Sequence, residues 1–446
     1  MTRLAALAAD TLNSGRPTGD GRGLAGLELA IRSAMTTLGA SLLEQLLTAD
    51  TGYRGPRIDC RAGHVAGFVA YRAKTIDTVL GPIRLRRAYY HCPDCHRGVV
   101  PRDAQLDVTG ASLSPGLAAM TDRAAATVPF AQAAALLADL AGITLTTKRV
   151  ERAAEADGTT AAIALTAQTQ AILTGRVVPL PPPAPAADML YLAVDGTGVP
   201  MTGAETAGRA GKGPDGRART REAKLAALFT QTRTDADGYP IRDPDSTSYV
   251  ATLDPVETFA DLVQAEACRR GAEHIRQLVV LGDGAHWIWN LATTRLPAAA
   301  QIVDLFHARE HLHALADLLA FILTDRDNWL TDRLTELDNG DIEAIVHAAR
   351  VYDLSGPKAG ELDTALGYFQ TNAHRMRYAY YRSLGMFVGS GVVEAGCKTV
   401  IGARLKRSGM HWTARGATGI TTLRCAHASG RWNQICTTTG SQTGAA

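Results

Sequence analysis

An unbroken apolar run that ends in an acid, LVVLGD at residues 278–283, is the strongest constraint on the fold of this 446-residue chain. Such a run is typical of a buried strand, here one that delivers Asp283 to an open sheet edge. YLAVD, which ends in Asp195, and QIVD, which ends in Asp304, have the same form. Further strands are predicted near 224–233 and 247–253, and helices near 256–270 and 285–294. Together these elements favour a mixed α/β sheet.

A proline-rich segment, RVVPLPPPAPAAD at residues 176–188, is predicted to be an extended linker. The chain is also too long for a single core. Before the linker we predict a helical region (1–52), a zinc-ribbon β-hairpin (53–108) and a helical region (109–175). After it we predict an α/β core (189–309), an all-helical insertion (310–385), the last part of the core with an acidic helix (386–436) and a disordered tail (437–446).

The region before residue 109 changes from helix to strand. Apolar residues in 23–49 recur at three- and four-residue steps, which indicates one long helix or a helix pair. TIDTVLGPIRLRRAYYHC then alternates β-branched, aromatic and basic residues. This pattern predicts two short strands joined at Gly81-Pro82.

The hairpin carries a candidate zinc site. Cys92-Pro-Asp-Cys95 has the two-residue spacing of a zinc knuckle, and Cys60 with His64 in CRAGH would complete four ligands. His91 and His96 remain alternatives for the fourth ligand. The other interpretation is free thiols with incidental histidines. The seven cysteines, an odd number, do not indicate a disulfide framework.

The region 109–175 has the outline of a helix-turn-helix. An Ala-rich helix ends at Gly142, and a second helix capped by Thr146 begins with basic residues. Lys148, Arg149 and Arg152 are therefore candidate DNA contacts. Plain helix packing is an equal alternative, because a helical hairpin with a glycine turn has the same pattern.

Asp195, Asp283 and Glu394 are the candidate catalytic acids. Carboxylates brought from distant sequence positions to one sheet edge can bind two Mg²⁺ ions against a phosphodiester. Asp-Gly is also a common turn dipeptide, which is the alternative for the two aspartates. Glu394 lies between glycines and a basic segment with Lys398, Arg404, Lys406 and Arg407. A carboxylate beside several cations suits a site that holds a metal and a polyanion together.

Asp304 and His307, in VDLFHARE, are candidates for support of this site or for contact with DNA. Asp304 follows a predicted strand, and His307 is one helical turn later. A helix-capping aspartate and a packed histidine are the alternative.

A glycine- and arginine-rich loop follows Asp195. It contains Arg209, Lys212, Arg217, Arg219 and Arg221, and it is interpreted as a phosphate-tracking loop or as a solvated segment. Trp412 is a candidate for stacking on bases, as are Trp287 and Trp289, although their spacing favours a core position.

Composition adds few constraints. The net charge of +2 does not by itself indicate a nucleic-acid partner. The sequence shows no signal peptide and no apolar stretch long enough to span a membrane, so we expect a cytoplasmic, nucleoid-associated protein.

These motifs resemble those of bacterial insertion-sequence DDE transposases of the ISKra type, which belong to the Mutator-like branch. The resemblance extends from about residue 55 to 433. It rests on the CxxC knuckle with AYYHC, DGTGVPM, GRAGKGPDGRARTREAKLAALFTQTRTD, RDPDSTSYV, GDGAHWIWN, DLFHAREHL and GSGVVEAGCKTVIGARLKRSGMHW.

The resemblance implies an RNase H-like catalytic domain interrupted by an all-helical insertion and preceded by a zinc-ribbon and helical DNA-binding region. It implies that Asp195, Asp283 and Glu394 are the DDE triad with Mg²⁺ or Mn²⁺, and that Asp304 and His307 match the D-x-x-H motif of that branch. Its expected partners are the terminal inverted repeats of the element, target DNA and at least one further copy of the chain. CRAGH departs from the expected CxxC, which leaves the fourth zinc ligand open.

Two other classes of protein fit parts of the sequence. A non-catalytic DNA-binding protein derived from a transposase would keep the zinc ribbon and the helical region. An unrelated metal-dependent hydrolase would use the carboxylates without DNA.

Overall fold

A computed structural model describes residues 23–60, 62–180, 187–211, 213 and 216–434. Four sequence predictions lie partly or wholly outside these residues: the start of the helical region at 1–22, the centre of the linker at 181–186, Lys212 and the tail at 437–446. The chain divides into two compact units, one of residues 1–161 with 432–446 and one of residues 162–431.

The first element of the described residues is helix α1 (Leu24–Thr48), so the predicted long helix is continuous rather than a pair. A four-stranded antiparallel sheet follows in the order β1-β2-β3-β4. Its strands are β1 (Arg57–Asp59), β2 (Val65–Thr78), β3 (Gly81–Cys92) and β4 (Arg97–Val99).

The β2–β3 hairpin differs from the prediction at its turn. The strands have 14 and 12 residues, and they are joined at Val79 and Leu80 rather than at Gly81-Pro82. The Thr78 hydroxyl closes this turn, because it donates to the Gly81 carbonyl (2.7 Å) and accepts from the Leu80 amide (3.1 Å). Gly81 begins β3 with φ of +117°, a conformation that favours glycine.

The described residues between β4 and the linker are mainly helical, as predicted. Gly142 ends the first half of the predicted helical pair with φ of +69°, and the Arg149 amide donates to Thr146 Oγ1 (3.3 Å), which confirms the Thr146 cap. The elements are α2 (Pro101–Gln105), α3 (Pro115–Thr127), α4 (Phe130–Leu136) with a π-helical turn (Leu137–Ala141), and α5 (Thr147–Leu173), which continues into the second unit.

The second unit contains the predicted mixed sheet. Its five strands lie in the order β11-β10-β5-β6-β9. β5, β6 and β9 are antiparallel neighbours, whereas β10 and β11 run parallel to β5. The strands are β5 (Met189–Pro200), β6 (Thr220–Gln231), β9 (Ser248–Thr252), β10 (Gln277–Gly282) and β11 (Ala300–Val303), with a separate ribbon of β7 (Arg233–Thr234) and β8 (Pro240–Ile241).

Helices follow the strands and fill the stretch that we predicted to be helical. The short helix α6 (Gly203–Thr206) follows β5, and α7 (Val256–Arg269) with the 3₁₀ turn Ala272–His274 connects β9 to β10. α8 (His286–Arg295) connects β10 to β11. The next helices are α9 (Leu305–Leu319), α10 (Arg326–Asn339), α11 (Ile342–Arg350), α12 (Pro357–Asn372), the 3₁₀ turn Ala373–Arg375 and α13 (Tyr378–Ser383).

The chain returns to the sheet after α13. Helix α14 (Gly391–Gly396) continues through a π-helical segment (Cys397–Gly402) into α15 (Ala403–Leu405), and α16 (Ala414–Ala428) follows. Gly396 lies against the sheet, because a Cβ at this position would approach Tyr249 Cε1 to 2.7 Å and Leu225 Cδ2 to 3.0 Å. This close approach places the helix of Glu394 next to β6 and β9. Among the helices in the described part of the chain, none is long and apolar enough to cross a membrane.

Candidate active site and metal centre

Three aspartates lie in one row across three neighbouring parallel strands: Asp283 and Asp304 directly follow β10 and β11, whereas Asp195 is within β5, which continues to Pro200. Ala193 of β5 is opposite Leu281 of β10, and Gly282 of β10 is opposite Val303 of β11. Continuing the same register by one or two residues places Asp195, Asp283 and Asp304 side by side. Neighbouring strands are about 4.8 Å apart, so the sheet brings these three positions together.

Asp304 connects this edge to the helix that carries Glu394. Its side chain is fully buried, and it caps α9 by accepting from the His307 amide (2.9 Å). Its other oxygen accepts from the backbone amide of Ser390, the residue just before α14. Burial raises the pKa of this carboxyl, but the hydrogen bonds from His307 and Ser390 outweigh burial and lower it. The capping alternative is therefore correct for Asp304, and the same carboxylate also fixes the start of α14.

Asp195 and Glu394 are both close enough to the buried thiol of Cys397 to raise its pKa. Cys397 is 8% exposed and lies three residues after Glu394. Burial raises the pKa of Cys397, and the nearby negative charges of Asp195 and Glu394 raise it further. The thiol interacts directly with the Asp195 side chain. Cys397 thus links the carboxylate on the central strand to the carboxylate on the helix.

His307 is the cation of the site. Its Nδ1 lies 3.5 Å from Asp304 Oδ1. The interaction with Asp304 is the largest cause that raises the pKa of His307 to about 9, against the effect of burial, and the charges of Glu310 and Asp283 contribute. The imidazole is therefore protonated near neutral pH.

Asp304, His307 and Glu394 form a group whose donor atoms lie within 4.8 Å of one another, and this group could hold a metal ion. The predicted trio of Asp195, Asp283 and Glu394 does not form a group at that mutual distance among the described residues.

Asp283 lies in a turn that the helical segment 305–385 stabilises. The Ala285 amide donates to Asp283 Oδ1 (2.9 Å), and the Tyr368 hydroxyl of α12 donates to the Asp283 carbonyl (3.1 Å). Gly284 has φ of +103°, and a Cβ there would lie 2.6 Å from the Tyr368 ring. His311 stacks on Tyr368, with its ring centroid 3.7 Å from that of Tyr368.

Two predicted DNA contacts, Arg404 and Trp412, are wrong because both side chains are buried. Arg404 is 0% exposed and Trp412 is 2% exposed. The Arg404 guanidinium lies over the Trp412 ring, 5.1 Å from its centroid, and the indole N–H donates to the Leu405 carbonyl (2.9 Å). Trp289 is also in the core at 4% exposure, and Trp287 packs edge-on against Phe259.

The remaining basic candidates of the second unit are at the surface. Arg209, Arg217 and Arg219 are exposed, whereas Arg221 is half-buried and pairs with Glu205 (3.5 Å). Lys406 and Arg407 are exposed after α15. The Lys406 ammonium donates to the Thr197 hydroxyl, two residues after Asp195, and Arg407 Nε donates to the Ala403 carbonyl (2.9 Å).

The basic candidates of α5 differ in how much they are already paired. Lys148 pairs with Glu151 (2.6 Å), and Arg149 pairs with Asp77 at the end of β2 (2.5 Å). Arg152 is exposed. The ion pair of Arg149 supports the packing alternative for this residue.

The predicted zinc ligands are together in the first unit. The donor atoms of Cys60, His64, Cys92 and Cys95 lie within 4.8 Å of one another, and this group could hold a zinc ion. His91 and His96 are not in it. The Cys60 and Cys95 sulfurs are 3.9 Å apart, which matches the roughly 3.8 Å edge of a tetrahedron with Zn–S bonds of about 2.3 Å. Backbone hydrogen bonds, the largest from the Cys95 amide, lower the pKa of Cys92 to about 7, as suits a thiolate ligand.

Three residues of the site were absent from the sequence prediction. Cys397 follows Glu394 at a one-turn helical spacing, which could have indicated that both face the same side. Ser390 and Tyr368 had no such signal, because Ser390 acts through its backbone amide and Tyr368 is 85 residues from Asp283.

No family model matches this sequence, and no curated protein matches it.

Proposed function

We propose that this protein is a DDE transposase with an RNase H-like catalytic domain. The proposal rests on the alignment of Asp195, Asp283 and Asp304 across three neighbouring strands. The hydrogen bond from the Ser390 amide to Asp304 holds the helix of Glu394 beside this row. The order of the sheet supports the fold proposal, since three antiparallel strands are followed by two strands parallel to the first. The helical segment 305–385 precedes α14, which is the position expected for the all-helical insertion.

Asp195, Asp283 and Glu394 are the proposed ligands of Mg²⁺ or Mn²⁺. Carboxylate oxygens suit these hard cations, and all three side chains are partly exposed and thus accessible. When bound, paired ions lower the pKa of an attacking water or 3′-hydroxyl and stabilise the leaving oxyanion. Asp195 is on β5, the central strand of the five-stranded sheet, and both it and Glu394 raise the pKa of Cys397, so Asp195 is the proposed shared carboxylate.

The other residues have supporting roles. Asp304 is a positioning residue, because its burial and two backbone hydrogen bonds fix α9 and α14 relative to the sheet edge. His307 brings a positive charge beside Glu394, which favours a polyanion at this place. Lys406, placed by Thr197 next to Asp195, adds a second cation. The proposed substrates are the ends of a mobile element and target DNA, and cutting two ends in one complex would require at least a dimer.

One observation favours the alternative of a DNA-binding protein without catalysis. The group of possible metal ligands at this edge, among the described residues, is Asp304, His307 and Glu394, and it lacks Asp195 and Asp283. An assay of DNA cleavage distinguishes the transposase from a DNA-binding protein without catalysis.

The test compares Asp195→Asn with Asp188→Asn on duplex DNA that carries the sequences flanking the gene. Asp188 lies just before the same strand, is exposed and is 3.6 Å from Arg276, so its replacement removes an equal charge away from the proposed site. We expect Asp195→Asn to abolish Mg²⁺-dependent strand cleavage by at least about a thousandfold while DNA binding is retained. Asp188→Asn should cleave normally. Undiminished cleavage by Asp195→Asn would refute the assignment, and cleavage of random duplex at an equal rate would refute element-end specificity.

A further inference from the structure

The two faces of the β2–β3 hairpin differ in burial. Toward α1, the side chains of Ile76, Ile83 and Leu85 are buried and pack with Ala40. On the opposite face the side chains are exposed, and the pairing of Thr75 with Arg84 and of Ala73 with Arg86 places them side by side. This outer face consists of Tyr71, Ala73, Thr75, Arg84 and Arg86.

The outer face carries two arginines, and the acidic residue on the same side of the hairpin, Asp77, is paired with Arg149 (2.5 Å). Arg84 and Arg86 form no ion pair with any residue in the described part of the chain. On the other face, Asp103 is 5% exposed and neutralises Lys74 (3.3 Å) and Arg87 (2.5 Å). The Glu44 carboxylate accepts from the Arg84 backbone amide (2.8 Å). Arg72, on the same face as Lys74, is also exposed and forms no ion pair among the described residues, so unpaired arginines lie on both faces, two of them together on the outer face.

Aromatic packing orients one of these arginines. The Arg86 guanidinium carbon is 4.1 Å from the centroid of the Tyr71 ring, and Tyr71 packs edge-on against Phe68 (5.3 Å). Stacking uses the flat face of the guanidinium and leaves its in-plane N–H groups available for an anion. The arginine is thus partly ordered before any ligand binds, which lowers the entropic cost of binding.

The dimensions of the hairpin fit duplex DNA. Strands of 14 and 12 residues at about 3.4 Å per residue give a ribbon on the order of 40 Å long. A two-stranded ribbon fits the B-form major groove, about 12 Å wide, whereas the A-form groove of RNA is too narrow for it. We propose that the outer face of this hairpin binds the phosphate backbone of double-stranded DNA, with Arg84 and Arg86 as phosphate contacts.

This inference rests on the proposed function only in that a transposase must hold DNA. The hairpin belongs to the first unit and contains none of the proposed catalytic residues. Binding by the outer face is therefore measurable without cleavage.

The experiment measures binding of the full chain to a fluorescent duplex of random sequence, without added Mg²⁺, over a series of NaCl concentrations. Each lost phosphate contact lowers the slope of log K against log salt by about 0.9, so Arg84→Gln with Arg86→Gln should lower it by about 1.8. We also expect affinity at physiological salt to fall about tenfold or more. Zinc content and thermal unfolding verify that the variant is folded.

Arg72→Gln is the matched control. Arg72 lies over the Tyr89 ring at 3.5 Å on the other face of the same hairpin, so the change removes the same charge and the same kind of stacking. Its salt slope should match that of the wild type, with affinity within about twofold. If the double variant does not fold, Arg84→Gln alone leaves the Arg86–Tyr71 pair intact and should lower the slope by about 0.9.

An unchanged slope in the folded double variant, or an equal loss in Arg72→Gln, would overturn the proposal. Displacement of the duplex by poly-glutamate at equal charge, or equal binding of duplex RNA, would overturn the choice of DNA as partner. Asp195→Asn should bind like the wild type. If the wild-type protein does not cleave DNA but the double variant still lowers the salt slope, only the transposase proposal is contradicted.

Discussion

At the scale of single residues, the contact between Tyr368 and the Asp283 turn is the most specific link to the helical segment. The Tyr368 hydroxyl donates to the Asp283 carbonyl (3.1 Å). Tyr368→Phe removes only this bond, so we expect the Mg²⁺ concentration for half-maximal cleavage to rise about fivefold, as for a loss of about 1 kcal/mol. Tyr380→Phe, at an exposed tyrosine of α13, is the control. An unchanged Mg²⁺ dependence would show that Asp283 does not need this bond.

A second residue-scale prediction concerns Glu266, which is fully buried. It pairs with Arg431 and Arg269 and accepts from the Ser248 hydroxyl (2.7 Å). Burial raises its pKa, but the hydrogen bonds and charge of Arg431 outweigh burial and lower the pKa below its ordinary value of 4.5. The carboxylate therefore stabilises the fold above about pH 4.5, and this contribution is lost as pH falls through the lowered pKa.

We expect Glu266→Gln to lower the free energy of unfolding by about 3 kcal/mol at pH 7, because it leaves buried arginines without their anion. The loss should shrink below pH 4. Urea unfolding at pH 7 and at pH 3 measures this loss of unfolding free energy. Glu257→Gln, which changes an exposed acid on the same helix, is the control. An equal loss at pH 3 and pH 7 would contradict the charge argument.

Some residues of the site were predictable from the sequence, and others were not. The apolar runs before Asp283 and Asp304 predicted the ends of β10 and β11, because burial and strand length are local properties. The predicted strand end at Asp195 was wrong, because β5 continues to Pro200 in its pairing with β6. The burial of Arg404 was not predictable, since charge favours the surface and its contact with Trp412 forms only in the folded chain. The role of Tyr368 was equally inaccessible, because no local pattern indicates a contact 85 residues away.

At the scale of elements, an acid pair connects helices α3 and α5. Asp122 is 6% exposed and shares a hydrogen bond with Asp157. Burial raises the pKa of Asp122 well above its ordinary value, and the charge of Asp157 raises it further. The favourable contribution of the protonated pair is therefore complete at low pH and is lost as pH rises through the raised pKa.

Asp122→Asn keeps a hydrogen-bond donor beside Asp157, and the new side chain cannot ionise. We expect it to raise the melting temperature of the first unit at pH 8 by about 2–4 °C or more, and to have no effect near pH 4. Calorimetry at the two pH values measures the difference, and Asp139→Asn at an exposed position is the control. A variant that is destabilised equally at both pH values would show that the pair is charged and satisfied.

At the scale of the whole molecule, the two compact units should respond differently to loss of zinc. The cluster around the predicted ligands is small, with Cys60, Ala66, Ala88, Tyr90 and Cys92 as its buried residues. So small a core stabilises little by itself, whereas structural zinc sites contribute apparent binding energies of about 10–16 kcal/mol. The end of the hairpin near β4 should therefore depend on the metal.

We expect one zinc ion per chain by elemental analysis and two thermal transitions, of which a strong chelator lowers only the one assigned to the first unit. Cys95→Ser should reproduce the chelator effect, because it removes one of the four donors. Cys268→Ser, on α7 of the second unit, should change neither zinc content nor the chelator response. A chelator that shifts both transitions equally, or neither, would contradict a structural role of zinc confined to the hairpin.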